Sequence, residues 1–329
     1  MAILLNSIIK EIQSELTPLL ENYISKVGNL KLRHMLNYCL RAKESYDRAL
    51  FVRLAMESVD GNWRKALHAM AAVELMDFSV LVVDDILDKS PRRMMNPSVF
   101  SKWGEESAII AAAILKSIAL EALIHVVREN SLKKHELTRI VQTFELAHRQ
   151  IYVGQYVDIA YEKYDLDRVT LKMYLDMIKY TTGIQISTCS IIGGVLGKGT
   201  RKQINALKNY GMMVGMIFQI RDDLIDYLDE EILTGKPPFV DLEQKKKRLP
   251  LLMAHKVYGK EFDKLFEKLS TDGFIRQEII QKATSKKVVR LIKQIQSSLA
   301  SKAFAAIQSL KDGAPLRVLK EIVELGIDI

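Results

Sequence analysis

The sequence predicts an all-α fold, a single large helical bundle that spans residues 1–329 and has its functional site in the bundle core. Helix-breaking residues are scarce, with only 7 prolines and 16 glycines in 329 residues, which favours long helices over short strands and turns. Hydrophobic residues make up 48% of the chain, enough for a large core. Apolar residues recur at helical spacing, and no segment alternates apolar and polar residues as strands do.

The apolar periodicity predicts helices along almost the whole chain. In the first, residues 3–26, Ile8, Ile12 and Leu16 recur one turn apart. Further helices are predicted at residues 30–42, 47–59, 62–89, 105–128, 133–163, 170–197, 200–230 and 247–257, with several more toward the C-terminus. The predicted breaks contain glycine or proline, and they fall at Gly61, from Pro91 to Pro97, from Gly197 to Gly199 and from Gly235 to Val240.

Composition argues against several classes of protein. Two cysteines, Cys39 and Cys189, offer no disulfide framework, which is typical of a reducing compartment such as the cytoplasm. The most apolar stretch, Ala108 to Val127, is interrupted by Lys116 and Glu121, so we expect a core helix there and no stable membrane insertion. The net charge is +8, but aromatic and basic residues are not interleaved. We therefore expect polyanionic small molecules as partners, and no nucleic acid.

Two acidic motifs share one pattern. They read D-D-I-L-D at Asp84, Asp85 and Asp88, and D-D-L-I-D at Asp222, Asp223 and Asp226. Because residues i and i+4 lie on one helix face about one turn apart, each motif projects two carboxylates toward a common point. Carboxylate oxygens suit Mg²⁺, whose shell substrate phosphates and water complete, and buried charge is costly without such a partner. The repeat predicts two helices that face each other across one metal–diphosphate site.

These motifs belong to an ordered set that resembles the trans-prenyltransferases, the polyprenyl diphosphate synthases, from about residue 37 to the C-terminus. The matching segments keep the family's order, and they are Val73-Glu74-Leu75, the first acidic motif, Ser90, Arg92-Arg93, Gly154-Gln155 with Asp158, Thr182-Gly183, Phe218-Gln219, the second acidic motif, Gly235-Lys236-Pro237, Asp241-Leu242 and Leu249-Pro250. One acidic motif alone would be weak support, but the ordered set is highly specific. The resemblance implies a helical bundle of the isoprenoid synthase type.

The resemblance also implies a Mg²⁺-dependent reaction between an allylic diphosphate and isopentenyl diphosphate. All six aspartates of the two motifs are expected to hold Mg²⁺ against the allylic diphosphate, and all but Asp226 to act in catalysis. Arg92 and Lys236 would stabilise the charge that develops on the leaving diphosphate. The other residues expected to bind substrate phosphates or the groups around them are Arg48, Arg93, Gln155, Thr182, Gln219 and Lys246. A homodimer is the expected assembly, and a heterodimer of homologous chains is the alternative.

Two features have competing interpretations. Gln155 and Asp158 would either line the site or form a polar pair in the core. In the basic run from Lys245 to Arg248, Lys246 is assigned to diphosphate binding, and the other three side chains are expected to form a solvated charged surface.

Four positions depart from the family pattern. Ser45 replaces a lysine and Asp77 a histidine, both of which normally help to hold isopentenyl diphosphate, while Thr181 replaces a lysine on the allylic side and Met94 replaces a glycine. An acid at Asp77 would repel a diphosphate, so weak isopentenyl diphosphate binding is expected. Beside the elongating synthase, two alternatives stay open. One is a terpene-synthase-like lyase that ionises an allylic diphosphate without normal elongation, and the other is a regulatory subunit that pairs with an active homologue.

The resemblance places a tail pocket beside the helix of the first motif. Ser79 and Val80, five and four positions before Asp84, would form its floor, and both are small. Met76 lies one turn deeper, and Ala111 to Ala113 are expected on a neighbouring helix. If elongation occurs, the sequence predicts a product of geranylgeranyl length or longer.

Overall fold

The chain is helical along most of the residues that the computed structural model describes, which are 2–41, 46–129, 132–228, 239–269 and 273–328. The helices in chain order are α1 Ala2–Ser25, α2 Leu30–Arg41, α3 Asp47–Glu57, α4 Leu67–Leu87, α5 Val99–Trp103, α6 Glu105–Glu129, α7 Lys134–Glu162, α8 Leu171–Ile178, α9 Ile184–Leu196, α10 Arg201–Ile225, α11 Val240–Glu243, α12 Leu249–Tyr258, α13 Lys260–Glu267, α14 Gly273–Ala283, α15 Lys286–Ile307 and α16 Ala314–Ile327. Two short strands, β1 Arg92–Arg93 and β2 Asn96–Pro97, form an antiparallel hairpin after α4. The predicted all-α fold is confirmed.

The helices that carry the acidic motifs lie in the interior of the bundle. α4 packs along α6 and α3, while α9 packs against both α3 and α10. The sequence of α4 is apolar on every side, and side chains such as Met70, Val73 and Met76 are fully buried. A helix that is apolar all round is stable only in the core of a protein or in a membrane. Both motifs lie at the C-terminal ends of their helices, so the packing of α4 and α10 positions them.

Glycines allow α9 to approach its neighbours closely. A Cβ atom on Gly193 would lie 2.2 Å from the carbonyl oxygen of Val52 and 2.9 Å from the Cβ of Ala55 on α3. On the α10 side, a Cβ atom on Gly211 would lie 2.7 Å from the carbonyl oxygen of Ile186. These glycines therefore set the spacing of three adjacent helices.

Two of the predicted helices are not continuous α-helices over their whole length. The segment 62–89 begins with a 3₁₀ turn at Trp63–Ala66, and the segment 170–197 is divided by a π-helical turn at Lys179–Gly183. The π-helical turn lies where α7 contacts this segment closely, because a Cβ atom on Gly154 would lie 2.8 Å from Thr181 Cγ2. Single π turns are common at functional sites, and tertiary packing overrides the local helical periodicity here.

Two helical segments, Trp63–Leu87 and Glu105–Arg128, are long and apolar enough to cross a membrane by length and composition. The most apolar windows of these segments are 78% and 44% buried inside the protein. A core helix passes the same test, and α4 is such a helix. α6 differs, because Ile109, Ile110 and Ile124 are about half exposed on its outer face.

The close approach at Gly193 makes a testable prediction. Gly193→Ala should lower the free energy of unfolding by about 2 kcal/mol, because the added methyl group meets a backbone carbonyl that cannot move alone. Urea unfolding followed by circular dichroism measures this change. Gly28→Ala is the matched control, since nothing lies within 4 Å of a Cβ atom there. Equal stability of the two variants would contradict the packing described for α3 and α9.

Candidate active site

The first acidic motif lies in the last turn of α4. The Nε2 amide of Gln155 on α7 donates a hydrogen bond to Asp84 Oδ1 at 2.9 Å. Lys246 Nζ donates to Asp88 Oδ1 at 2.5 Å. The two carboxylates thus meet side chains from other elements at the same end of α4, as their spacing predicts.

Asp85 is almost fully buried and is bound by Arg93. Arg93 Nε and Nη2 donate to Asp85 Oδ1 at 2.9 and 2.6 Å, and Nη2 also lies 2.7 Å from Asp84 Oδ2. Burial alone would lower the pKa of Arg93. The two carboxylates raise it by more than burial lowers it, so the pKa lies above its ordinary value. Arg93 therefore bridges Asp84 and Asp85, and both carboxylates already engage this cation.

The hairpin β1–β2 positions Arg93. Arg93 is paired with Asn96 across the hairpin, and Met94 and Met95 at its turn have φ angles of +49° and +64°. Backbone with positive φ favours glycine, which gives a physical reason for the glycine that Met94 replaces. Arg92, the neighbour of Arg93, is exposed.

The second acidic motif lies at the end of α10. Asp223 is buried and accepts hydrogen bonds from the Tyr174 hydroxyl at 2.6 Å and from Gln219 Nε2 at 2.8 Å. Thr182 Oγ1 donates to Gln219 Oε1 at 2.5 Å, so the π-helical turn orients the amide that holds Asp223. Asp222 is exposed. Asp222 thus lies at the protein surface, and Asp223 lies in the interior next to it.

Asp226 has a buried carboxylate oxygen, Oδ2, without a hydrogen-bond partner among the described residues. Burial, together with the negative charges of Asp241 and Asp223, raises the pKa of Asp226 to about 7. Burial also raises the pKa of Asp223, although Arg248 opposes the shift. An unsatisfied buried oxygen of this kind has the chemistry that a bound cation would complete.

A buried network of charges joins the two motifs. Arg248 binds Asp158 on α7 through two parallel contacts, from Nη1 to Oδ1 at 2.9 Å and from Nη2 to Oδ2 at 3.1 Å. Its Nε lies 2.7 Å from Asp241 Oδ2 and 3.8 Å from Asp223 Oδ1. Lys246, which binds Asp88, lies 3.7 Å from Asp158 Oδ2. Asp88 of α4 and Asp223 of α10 are therefore connected through two cations and Asp158.

This network corrects one prediction and shows the contacts of Gln155 and Asp158. Lys247 and Arg248 are buried, so they do not belong to a solvated surface. Lys247 Nζ donates to the carbonyl oxygen of Glu162, and burial lowers its pKa to about 8. Gln155 contacts Asp84 in the site, whereas Asp158 forms the buried ion pair.

The sequence did not assign Tyr174, Asp241 or Arg248 to the site, although each contacts Asp223 or the charges connected to it. Arg248 and Asp158 are 90 positions apart, so no local spacing connects them. Asp241 lies in the Asp241-Leu242 segment, and the resemblance of that segment to the family is the signal that identifies it.

The oxygen donors of the two motifs fit Mg²⁺. Within the described ranges no three His, Cys, Asp or Glu side chains form a ready-made metal centre. Mg²⁺ characteristically takes one or two carboxylates from a protein and completes its shell with phosphates and water. The accessible carboxylate of Asp222 and the unsatisfied oxygen of Asp226 suit that mode of binding. Lys236, the other predicted catalytic cation, lies outside the described residues.

Arg48 lies at the start of α3 and is already engaged. Its Nη2 is 2.9 Å from Asp77 Oδ1 on α4, and its Nε donates to Gln185 Oε1 on α9 at 2.9 Å. Glu74, also on α4, accepts a hydrogen bond from the backbone N–H of Ala49 at 2.8 Å and so caps α3. Asp77, which stands where the family has a histidine, therefore contacts Arg48 directly. Ser45, the other altered position of this pocket, lies outside the described residues.

The predicted floor of the tail pocket is buried between three helices. Ser79 Oγ donates to the carbonyl oxygen of Ala112 on α6 at 2.9 Å, and Tyr152 of α7 lies beside Ser79, where burial raises the pKa of its hydroxyl. Val80 is buried as well. Tyr152, three residues before Gln155 on α7, was not predicted, although that spacing places both side chains on one helix face.

Known protein sequences that are similar to this chain belong to one class of enzyme. The family model described as polyprenyl synthetase matches residues 29–287. The chain is 31% identical over 219 residues to the short chain isoprenyl diphosphate synthase of Methanocaldococcus jannaschii, a stretch that covers 67% of this chain and 64% of that protein. It is 28% identical over 330 residues to the geranylgeranyl diphosphate synthase of Sulfolobus acidocaldarius, with 96% of each chain covered. The aligned stretch therefore spans less than two thirds of the first relative and nearly all of the second.

Solved structures show the same fold. The geranylgeranyl pyrophosphate synthetase of Pyrococcus horikoshii superposes with a TM-score of 0.89 at 24% identity, with 100% of this chain and 99% of that chain covered. The geranylgeranyl pyrophosphate synthetase of the archaeon Geoglobus acetivorans superposes with a TM-score of 0.84 at 25% identity, covering 98% and 100%.

The ion pair of Asp158 makes a second prediction. Asp158→Asn should lower the free energy of unfolding by about 3–5 kcal/mol, because it leaves Arg248 and Lys246 buried without their shared carboxylate. The control is Asp165→Asn, which removes an exposed pair with Arg168 at 3.4 Å and should cost less than about 1 kcal/mol. Chemical unfolding of both variants measures the difference. A change at Asp158 as small as the change at Asp165 would mean that the network does not hold the fold.

Proposed function

Because the chain belongs to the polyprenyl synthetase family, we propose that it is a prenyltransferase that condenses an allylic diphosphate with isopentenyl diphosphate. The proposed product is of geranylgeranyl length or longer. The observation that carries the proposal is the buried network that joins the aspartates of α4 to those of α10. Such an arrangement suits a diphosphate held between two helices. The relatives from Methanocaldococcus and Sulfolobus, an isoprenyl and a geranylgeranyl diphosphate synthase, support the same reaction class.

The proposed cofactor is Mg²⁺. Asp84, Asp88 and Asp222 would be its nearest protein ligands, and Asp226 would offer its unsatisfied oxygen. Asp85 and Asp223 are bound by Arg93 and Tyr174, and in this proposal they support the ligands. When bound, Mg²⁺ would supply Lewis-acid stabilisation to the leaving diphosphate.

Fixed cations would complete the leaving-group side of the site. Burial and the charge of Arg248 act to lower the pKa of Lys246. Three surrounding carboxylates raise it by a larger amount, so this side chain stays protonated. Lys246 and Arg93 would donate to phosphate oxygens, and the exposed Arg92 would do so from the rim. Lys236 is proposed for the same role, and Thr182 with Gln219 would hold the second motif in place.

The apolar interior would protect the allylic cation. Loss of diphosphate breaks the allylic C–O bond, and the double bond of isopentenyl diphosphate then forms a new C–C bond with the cation. A proton leaves the adduct, and the departed diphosphate is the proposed acceptor. This chemistry needs no side-chain nucleophile, and it depends on the exclusion of water. The buried side chains of α4, among them Met76 and Val80, would provide that apolar lining.

One contact favours a second candidate function. Asp77 engages Arg48, a cation that would otherwise be available to isopentenyl diphosphate. A chain that binds this substrate weakly would ionise the allylic diphosphate without normal elongation, as a lyase of the same fold. The retained aspartates argue against a purely regulatory subunit.

We further propose a homodimer in the cytoplasm. The outer face of α6 exposes Ile109, Ile110 and Ile124, and α7 exposes Val153 and Tyr156. Exposed apolar rows on two long helices are typical of surfaces that associate.

The metal assignment predicts the effect of removing one ligand. Asp84→Ala and Asp222→Ala should each reduce turnover by about a thousandfold or more, since several kcal/mol of transition-state stabilisation are lost. Steady-state rates in Mg²⁺ test this, with circular dichroism to confirm the helical fold. Asp176→Ala is the control, because its carboxylate pairs with Lys172 on the surface. Near-wild-type turnover in either site variant would overturn the assignment.

The Arg48–Asp77 contact predicts a gain of binding. Asp77→Asn should tighten isopentenyl diphosphate binding about tenfold or more, because a charge-assisted phosphate contact contributes about 1.5–3 kcal/mol. Binding of the allylic diphosphate should change little. Calorimetry with each diphosphate measures both effects, and the double variant Ser45→Lys with Asp77→His should bind still more tightly. Tight isopentenyl diphosphate binding by the wild-type protein would show that the substitutions are tolerated.

The packing around Ser79 predicts control of product length. Ser79→Phe would add a phenyl ring between Ala112 and Tyr152, and it should shorten the product by at least one isoprene unit. Ser79→Ala, which adds no volume, should leave the product distribution unchanged. Mass spectrometry of the products from one allylic primer distinguishes the variants. An unchanged distribution in a folded Ser79→Phe protein would exclude this floor.

A further inference from the structure

Positive charge is concentrated in the C-terminal part of the chain. Residues 249–311 contain 12 basic and 5 acidic side chains, whereas the whole protein has a net charge of +8. Nearly all of the excess therefore lies in fewer than a fifth of the residues, and α15 is the most one-sided element within that part.

α15 carries five basic residues and no acidic residue along its 22 positions. Lys286, Arg290 and Lys293 follow one another at spacings of four and three, which places them in one row. Lys287 and Lys302 lie farther around the exposed side of the helix, about 90° and 150° from that row at about 100° per residue. All five are exposed. Within the part of the chain that the structure describes, no acidic side chain pairs with Lys286, Lys287, Arg290 or Lys302. These five residues form what we call the α15 cationic face.

Local stability does not explain this face. Lys286 and Lys287 lie in the first helical turn, where the helix dipole favours acidic residues and disfavours cations. The inner face holds α15 in place, because Val288, Ile292 and Leu299 are buried there and the helix packs against α10. A local preference that is violated without a structural gain indicates a functional constraint.

We propose that the α15 cationic face docks the protein on the surface of an anionic lipid bilayer. Diffuse positive charge is sufficient for such binding. Single-stranded nucleic acid would require aromatic side chains on which bases stack, and the exposed residues between the cations are Gln294, Ser297, Ser298 and Ser301. An anionic bilayer also fits the proposed function, and the argument from the product that follows rests on that function. A prenyl diphosphate has a long apolar tail, so its release next to a bilayer is favourable.

The test measures binding to vesicles and needs no substrate. Vesicles of phosphatidylcholine with about 30% phosphatidylglycerol, compared with phosphatidylcholine alone, report attraction by anionic headgroups. The variant K286Q/K287Q/R290Q/K302Q removes four charges from the face. The control K10Q/K31Q/K202Q/K208Q removes four exposed charges from α1, α2 and α10, so both variants have the same net charge.

We expect wild-type protein and the control to co-sediment with the anionic vesicles at low salt, and the face variant to bind about tenfold or more weakly. Binding should weaken as salt is added. Turnover of soluble substrates should be equal in all three proteins, and loss of turnover would concern the proposed function alone. The proposal is overturned if wild-type protein does not bind, if both variants weaken equally, or if single-stranded RNA binds the face more tightly than the vesicles do.

Discussion

The ion pair between Arg248 and Asp158 is the interaction on which the rest of the site depends. Burial of an unpaired guanidinium is very costly, and Arg248 meets that requirement with two parallel contacts to Asp158 and a third to Asp241. The dependence is mutual, since Asp158, Asp223 and Asp241 would repel one another without it. The network fixes α7 and α10 relative to each other before any ligand arrives, and a fixed arrangement of charges needs no reorganisation during the reaction.

The sequence was informative wherever a feature is local. The helices follow from apolar periodicity, and the shared direction of Asp84 and Asp88 follows from their spacing of four. Contacts between distant segments were not accessible in this way. Arg248 is separated from Asp158 by 90 positions, and a run of four basic residues is usually solvated. Lys247 and Arg248 are nevertheless buried, because the fold brings Glu162, Asp158 and Asp241 around them.

The π-helical turn at Lys179–Gly183 shows how packing modifies a helix that periodicity predicts to be continuous. Its residues contact two helices at once. Gly154 of α7 lies against Thr181, and Thr182 binds Gln219 of α10. A regular α-helix offers its side chains in one fixed angular order, and the extra residue of a π turn shifts that order locally. The second acidic motif receives its support from this irregularity.

Two side chains of α4 contact the start of α3 in different ways. Glu74 holds the backbone of α3 through Ala49, while Asp77, three residues later, pairs with the side chain of Arg48. The first contact restrains the backbone at the start of α3, and the second places a carboxylate beside the Arg48 guanidinium. A different side chain at position 77 would leave the contact between Glu74 and Ala49 in place, so in the proposed function the preference for the second substrate could change by exchange of a single side chain.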